Sequence, residues 1–196
     1  MAFDGVTIAA MVDELHKFLD GGRFNKIAQP EADELLITGK GALGQCRLLL
    51  SASASLPLIY FTEKNKVSPL TAPNFCMLLR KHIGSARIAD IRQPGLERVV
   101  EFELEHLNEL GDPCKKVLIM ELMGKHSNII FCDDKGMILD SIKHVSSHMS
   151  SVREVLPGRE YFIPQTQDKL DPLTVSEEDF INTVCRKPCN ISKALY

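Results

Sequence analysis

The sequence predicts an α+β fold with a largely antiparallel sheet and flanking helices. Short β-rich runs recur between Gly, Pro and Ser residues, and their short connections favour antiparallel neighbours. Two further segments space their apolar residues as helices do. Hydrophobic residues make up 44% of the 196 positions and charged residues 25%, which is typical of a folded globular protein.

An amphipathic helix is predicted over residues 5–20. Its apolar side chains recur at intervals of three and four residues. They are Ile8, Met11, Val12, Leu15 and Leu19. Asp4 is a suitable N-cap, and the pair Gly21-Gly22 ends the pattern.

Nine segments have the composition and the boundaries of strands. They are residues 23–28, 34–38, 46–51, 58–61, 87–91, 98–104, 116–123, 127–131 and 138–142. In the sixth, Glu101, Glu103 and Glu105 alternate with apolar residues, which indicates a sheet with one face in water. A second helix is predicted over residues 72–83, with Pro73 in its first turn.

The last part of the chain predicts a linker followed by a new helix. After Pro157-Gly158, a polar, proline-bearing stretch continues to Pro172 and is predicted to be the linker. Thr174 or Ser176 can then cap a helix with an acidic first turn. We therefore expect one domain over residues 1–173 and the start of a helical region over residues 174–196, in a piece cut from a longer protein.

Compartment and partners are constrained by what the sequence lacks. No apolar run approaches the roughly 18 residues of a membrane span. The first residues have no basic segment leading into an apolar stretch, so we expect no secretory signal. Six cysteines are sparse for a disulfide scaffold and predict reduced thiols. We expect a cytoplasmic protein without a membrane partner.

Charge is distributed unevenly along the chain. Residues 21–98 hold 11 basic against 6 acidic side chains, whereas residues 99–160 hold 7 against 11. A basic first half indicates a face that binds a polyanion. The alternative is a pair of ordinary solvated strand faces.

No constellation predicts metal binding or catalysis. Cys185-x₃-Cys189 lacks a second pair of ligands. His144-x₃-His148 falls in predicted strand and loop and lacks a neighbouring carboxylate base. No Ser or Cys has the setting of a catalytic nucleophile. The sequence predicts a binding protein rather than an enzyme, with no cofactor and no metal.

Two charged stretches are candidates for anion contacts. Arg80, Lys81 and His82 end the second helix, where they either complement the helix dipole or bind an anion. Glu97 and Arg98 lead a turn into a strand, where neighbouring side chains point to opposite faces. An ion pair between these two within the strand is therefore not expected.

A third stretch groups several hydrogen-bond donors at a strand junction. Lys125, His126, Ser127 and Asn128 follow one another between two predicted strands. Such a group suits contacts to phosphate or sugar. Ser and Asn can equally satisfy the backbone of a turn.

Six motifs occur in a fixed order along the chain. They are Asp4-Gly5, residues 75–82, Gly95-Leu96-Glu97-Arg98, residues 123–130, residues 140–144 and Arg153-x-Val155-Leu156-Pro157-Gly158. Together they resemble the N-terminal NFACT domain of the RqcH/NEMF family, whose bacterial members were long labelled fibronectin-binding protein A. The resemblance covers residues 1 to about 173, and the remainder resembles the start of that family's helix-hairpin-helix region.

This resemblance implies an RNA-binding domain of a ribosome quality-control factor. Family members bind a stalled large ribosomal subunit and tRNA, alanyl-tRNA in bacteria, and promote C-terminal alanine tailing of the nascent chain. Asp4 and the pair Glu97-Arg98 match the family's tRNA-contacting residues, with Glu97 in place of the usual Asp. The residues expected to make further RNA contacts are Arg80, Lys81, Lys125, His126 and Asn128.

The resemblance also implies a fold and an alternative function. NFACT N-terminal domains are similar to the N-terminal domain of formamidopyrimidine-DNA glycosylases, which implies a β-sandwich or barrel-like domain flanked by helices. Those enzymes need an N-terminal proline amine followed by Glu. This chain begins Met1-Ala2-Phe3, so glycosylase chemistry is not expected. The alternative is a surface adhesin that binds fibronectin, as the older label suggests, although no signal or repeat supports it.

Overall fold

The structure is a computed structural model. It describes residues 3–108, 110–164, 170–171 and 174–191. Residues 1–164 form one compact unit and residues 165–196 a second, smaller one. The predicted domain boundary at residue 173 lies outside the described residues.

The described residues of the larger unit form two α-helices and nine strands. The helices are α1 (Gly5–Leu19) and α2 (Asn74–Ile83). The strands are β1 (Arg23–Glu31), β2 (Glu34–Gly41), β3 (Gly44–Ser51), β4 (Leu58–Phe61), β5 (Arg87–Arg92), β6 (Val99–Leu107), β7 (Pro113–Glu121), β8 (Asn128–Asp133) and β9 (Ile138–Ser141). The prediction of a mostly antiparallel α+β fold is confirmed.

All nine strands belong to one sheet. Their order is β4-β3-β2-β1-β5-β6-β7-β8-β9, and every neighbouring pair is antiparallel. β1 and β5 meet at the single pair Arg23 and Arg87, whereas other neighbours pair over longer stretches. This junction divides the sheet into a first half-sheet, β1–β4, and a second half-sheet, β5–β9.

The inner faces of both half-sheets share one apolar core with α1 and α2. Alternate strand residues point into it because side chains in a strand alternate between faces. Phe24 of β1 and Phe102 of β6 lie there with ring centroids 6.0 Å apart. Ile8 and Leu15 of α1 are fully buried in the same cluster, as the helical spacing predicts.

The outer face of the second half-sheet has a smaller core of its own. Val99, Ile119 and Ile130 are buried there, and Tyr161 and Ile163 pack against them. The described residues 159–164 are therefore part of the domain, and their assignment to a linker is wrong. The sequence indicates a linker because this segment is polar, but its few apolar side chains are the ones that pack.

Two proline positions differ from the sequence prediction. β1 continues through Pro30 to Glu31 because its pairing with β2 shifts register between Ala28 and Glu31. Such an irregularity accommodates a residue that has no N–H to donate. Pro73 precedes α2 as its N-cap residue rather than lying in its first turn.

In the smaller unit, a short helical segment follows Ser176. Ser176 caps a helical turn over Glu177–Phe180, and its hydroxyl accepts a hydrogen bond from the Asp179 N–H at 3.1 Å. A π-helical turn over Ile181–Cys185 follows. Of the two predicted caps, Ser176 is the one used.

Across the part of the chain that the structure describes, no helix has the length and apolar character that crossing a membrane requires. The same described residues contain no group of three His, Cys, Asp or Glu side chains that could hold a metal ion.

Candidate functional site

The start of α1 docks against the turn that precedes β6. A Cβ atom added at Gly5 would lie 2.1 Å from the carbonyl oxygen of Leu96, so only glycine permits this approach. The Gln93 amide bridges the two segments, because its Nε2 donates to the carbonyls of Gly5 and Glu97, both at 2.8 Å. This contact brings Asp4 to the same corner of the molecule as Glu97 and Arg98.

Asp4 has a structural role at this corner. Its Oδ1 accepts a hydrogen bond from the Thr7 N–H at 2.8 Å, which makes Asp4 the N-cap of α1 as predicted. That hydrogen bond lowers the pKa of the Asp4 carboxyl below its ordinary value. An exposed, ionised carboxylate therefore stands at the helix terminus.

Arg98 offers an uncommitted guanidinium. Glu97 is exposed and Arg98 is partly exposed, and neither side chain forms an ion pair with any described residue. Both residues lie before β6, which begins at Val99, rather than within the strand. The Arg98 side chain also makes no hydrogen bond to a described residue, so its N–H donors can bind a ligand.

The donor-rich stretch after β7 lies beside Arg98. The N–H of Leu122 donates to the Arg98 carbonyl at 2.8 Å, which extends the pairing of β6 and β7 to this corner. A 3₁₀ turn over Gly124–His126 follows immediately and exposes Lys125 and His126. We call the group of Asp4, Glu97, Arg98, Lys125 and His126 the turn corner.

Asn128 does not belong to the exposed part of this corner. It is 2% exposed, and its Oδ1 accepts from the N–H groups of Ile129 and Lys143. Its Nδ2 donates to the Lys143 carbonyl at 2.8 Å. The amide holds the segment after β9 against β8, so an RNA contact by Asn128 does not fit its position.

Arg80 and Lys81 lie far from the turn corner. Arg80 Nε donates to the carbonyl of Ile27 in β1 at 2.8 Å. Lys81 lines a cavity of about 350 Å³ with His106 and Leu107, at the opposite end of β6 from Arg98. A strand of this length spans about 25 Å. The structure therefore separates these two cations from Arg98 instead of joining them in one groove.

Several residues of structural importance carry no clear signal in the sequence. Gln93 holds the turn corner together, yet a Gln before Pro and Gly predicts only a turn. Lys143 Nζ donates to the carbonyls of Ser127, at 3.2 Å, and of Ala52. Because Ala52 follows β3 and Ser127 precedes β8, Lys143 ties the two half-sheets together.

A buried ion pair fixes the segment after β9. Arg153 Nη2 donates to both carboxylate oxygens of Glu121, at 2.7 and 2.6 Å, and the Tyr161 hydroxyl donates to Glu121 at 3.0 Å. Burial alone would lower the pKa of Arg153, but hydrogen bonds and charge from Glu121 raise it. Burial and the Glu121 charge raise the pKa of Tyr161. Two of the six motifs, residues 140–144 and 153–158, therefore contain a side chain with a structural role, Lys143 in the first and Arg153 in the second.

The fold and the turn corner define a class of protein. It is an antiparallel-sheet domain in which a helix N-terminus and two turns present a carboxylate and several cations on one exposed corner. Residues 4–196 match the family model of the NFACT N-terminal and middle domains. The chain belongs to this family, which confirms the resemblance drawn from the six motifs.

Named relatives agree with this assignment. The chain is similar to the Rqc2 homolog RqcH of Bacillus subtilis, with 41% identity over 182 residues, 92% of this chain and 32% of that protein. It is also similar to the ribosome quality control complex subunit NEMF of Mus musculus, with 26% identity over 151 residues, 77% of this chain and 13% of that protein. The chain spans about a third of the length of RqcH.

A solved structure has the same fold. The N-terminal domain of the fibronectin-binding protein PavA from Streptococcus pneumoniae superposes with a TM-score of 0.87 at 36% identity. The match covers 95% of this chain and 70% of that one. The described fold is therefore that of NFACT N-terminal domains.

Proposed function

We propose that the protein is the RNA-binding part of a cytoplasmic ribosome quality-control factor, and that the turn corner contacts tRNA. The whole factor would bind the stalled large ribosomal subunit, recruit alanyl-tRNA and promote alanine tailing without catalysing a reaction itself. One observation carries the proposal: Arg98 stands partly exposed without an ion-pair partner among the described residues, beside exposed Lys125 and His126. The names of the RqcH and NEMF relatives support it.

Each residue of the corner has a distinct proposed role. A guanidinium presents a planar fork of donors that matches phosphate oxygens. Lys125 and His126 would contact neighbouring phosphates or sugars. Carboxylates repel phosphate, so Asp4 and Glu97 would orient Arg98 or accept hydrogen bonds from ribose hydroxyls and base edges.

Recovery of tRNA with purified protein tests this function. Arg98→Ala should abolish the recovery of tRNA with the protein. Where binding remains measurable, the slope of log affinity against log salt should fall by about one, as expected for one lost phosphate contact. Arg92→Ala is the matched control: it removes the same charge, but Arg92 is already paired with Glu101 at 2.7 Å. Equal recovery of tRNA by Arg98→Ala and Arg92→Ala would remove Arg98 from the site.

A second variant separates the charge of Asp4 from its role as a cap. Asn caps helices about as well as Asp does. Asp4→Asn should therefore leave the helix content unchanged while weakening tRNA binding, whereas Asp4→Ala should disturb both. If Asp4→Asn bound tRNA as the unchanged protein does, the carboxylate would have only its capping role.

The alternative of a surface adhesin, suggested by the fibronectin-binding name of PavA, is tested by locating the protein in cells. Under our proposal, the protein co-sediments with large ribosomal subunits, and Arg98→Ala reduces that association. Surface protease sensitivity in intact cells, without ribosome association, would favour an adhesin instead.

A further inference from the structure

A second positively charged surface lies on the outer face of the first half-sheet. Lys26, Thr38 and Arg47 pair in one row across β1, β2 and β3. Arg23, Lys40 and Gln45 form the neighbouring row. We call the four cations of these two rows, Arg23, Lys26, Lys40 and Arg47, the β1–β3 cationic face.

The register fixes which way these side chains point. Ile27, Ile37 and Leu48 occupy the next positions on the same three strands, and all three are buried in the main core. Because successive side chains alternate between faces, the cationic rows point away from that core. A rise of about 3.3 Å per residue places the two rows roughly 7 Å apart.

The four cations are not neutralised within the described chain. Lys26 and Lys40 are exposed and make no hydrogen bond or ion pair with a described residue. Arg23 donates to the Ser85 carbonyl at 3.2 Å and Arg47 to the Glu63 carbonyl at 2.9 Å, which orients each guanidinium without cancelling its charge. The two rows themselves contain no acidic residue.

Acidic side chains border this face, and among them Asp20 lines a pocket with Arg23 and Lys40 without an ion pair to either. Glu34 lies further along β2 and is paired with Lys66. Glu63 follows β4, and its side chain has no ion pair with the described residues. A local excess of positive charge therefore persists in a protein whose net formal charge is −3.

The chemistry of the face favours a nucleic-acid backbone. A groove of about 470 Å³ runs beside Lys26, Thr38 and Arg47, and Asn25 and Gln45 also line it. Amide, hydroxyl and cationic donors suit phosphate and ribose oxygens. The two rows contain no aromatic ring, so the stacking platform of a single-strand binder is missing from them.

We infer that the β1–β3 cationic face binds the phosphate backbone of a double-helical RNA segment, separately from the turn corner. This inference rests on the proposed RNA-binding function. Arg23 pairs with Arg87, and Arg87 pairs with Glu105, six residues along β6 from Val99. The cationic face and Arg98 are thus about 20 Å apart along the sheet and contact different segments of the RNA.

Neutralising two of the unpaired cations tests the inference. Lys26→Gln/Lys40→Gln removes two charges from positions without a partner in the described chain, so the fold should be retained. The probe is an RNA duplex of about 20 base pairs with arbitrary sequence, bound at salt concentrations from about 50 to 200 mM. The slope of log affinity against log salt should fall by about two.

The control changes the net charge by the same amount elsewhere. Arg92→Gln/Lys115→Gln neutralises two cations that are already paired with Glu101 and Glu103. The slope of log affinity against log salt for this variant should differ from that of the unchanged protein by less than about 0.5. Equal slope losses in the two double variants would overturn the inference, because net charge rather than the face would then govern binding.

The outcomes separate this inference from the proposed function. If Arg98→Ala abolishes tRNA recovery while Lys26→Gln/Lys40→Gln matches its control, RNA binding by the β1–β3 cationic face is contradicted and tRNA binding by the turn corner is supported. If Arg98→Ala leaves tRNA recovery intact while Lys26→Gln/Lys40→Gln lowers the salt slope of duplex binding, RNA binding by the β1–β3 cationic face is supported and tRNA binding by the turn corner is contradicted.

Discussion

The outer faces of the two half-sheets differ in whether their cations are paired with carboxylates. On β5–β7, Arg87 pairs with Glu105 at 2.8 Å and Arg92 with Glu101 at 2.7 Å, and Lys115 pairs with Glu103. On β1–β3, the four cations of the β1–β3 cationic face have no carboxylate partner in the described chain. A net charge near zero therefore conceals one balanced face and one strongly positive face, and only the strand register distinguishes them.

The faces also differ in how they are covered. Residues 145–163 contribute apolar side chains to the outer face of the second half-sheet, where a small core is buried. The first half-sheet buries only Ala28, Leu36 and Leu49 on its outer side. The free energy of unfolding should therefore depend more on the polar groups that residues 145–163 bury against the second half-sheet. The cations on the outer face of the first half-sheet remain accessible to a ligand.

The largest predicted effect is on the covered ion pair. Glu121→Ala leaves the Arg153 guanidinium, whose side chain is 9% exposed, buried without its carboxylate. Removing one partner of such a pair costs about 3–5 kcal/mol of the free energy of unfolding. Chemical denaturation followed by circular dichroism measures this loss.

The double variant Glu121→Met/Arg153→Met identifies the cause. An apolar pair of similar volume avoids the unpaired charge, so it should recover much of the lost stability. A double variant as unstable as Glu121→Ala would show that the lost ion pair and its hydrogen bonds, rather than an uncompensated charge, account for the effect.

A smaller loss is expected where the two half-sheets are joined. Lys143→Met keeps the apolar stem but leaves the carbonyls of Ala52 and Ser127 without their donor. Unsatisfied buried acceptors cost about 1–3 kcal/mol, which denaturation by urea can measure. Lys135→Met, at an exposed hairpin position, is the control and should change stability by less than about 0.5 kcal/mol. Equal effects of the two substitutions would contradict the bridging role.

The elements of this fold are predictable from the sequence because they depend on local patterns. Asp4 caps α1 as expected, and Glu101, Glu103 and Glu105 point outward from β6 as their alternation indicates. The bridge made by Lys143 depends on Ala52, 91 positions earlier, and no local pattern encodes that contact.

The candidate site could be predicted only in part, for the same reason. Arg98 and Lys125 come together through the pairing of β6 with β7, which their strand patterns make plausible. Arg80 and Lys81 also fall in the basic half of the sequence, but the sheet order places them at the opposite end of β6. Local charge counts record how many cations a segment holds and not which face carries them. The similarity to formamidopyrimidine-DNA glycosylases stays a prediction.

Alkaline pH should weaken the covered face through Cys132. Burial raises the pKa of this thiol to about 12, above its ordinary value of 9.0. Below pH 9 the thiol is protonated in both states. Above pH 9 the unfolded chain loses the proton and the folded chain keeps it, so the free energy of unfolding falls.

The expected slope for Cys132 is about 1.4 kcal/mol per pH unit until the folded thiol also ionises, near pH 12. Denaturation of the protein and of Cys132→Ala at pH 8, 9 and 10 isolates this contribution, since other groups titrate in both. Cys185→Ala, at an exposed position, should keep the slope of the unchanged protein. A Cys132→Ala profile parallel to that of the unchanged protein would exclude this thiol as the cause.

The smallest effects should differ in sign between the two outer faces. Arg87→Gln breaks an exposed ion pair and should lower the free energy of unfolding by about 0.2–1 kcal/mol. Lys40→Gln relieves repulsion among unpaired cations and should raise it by up to about 0.5 kcal/mol. Both differences should shrink when salt rises from about 0.05 to 0.5 M, because the charges are exposed to screening. Urea denaturation at the two salt concentrations measures them, and a destabilising Lys40→Gln would mean that Lys40 has a stabilising partner and that the β1–β3 cationic face is less positive than its register indicates.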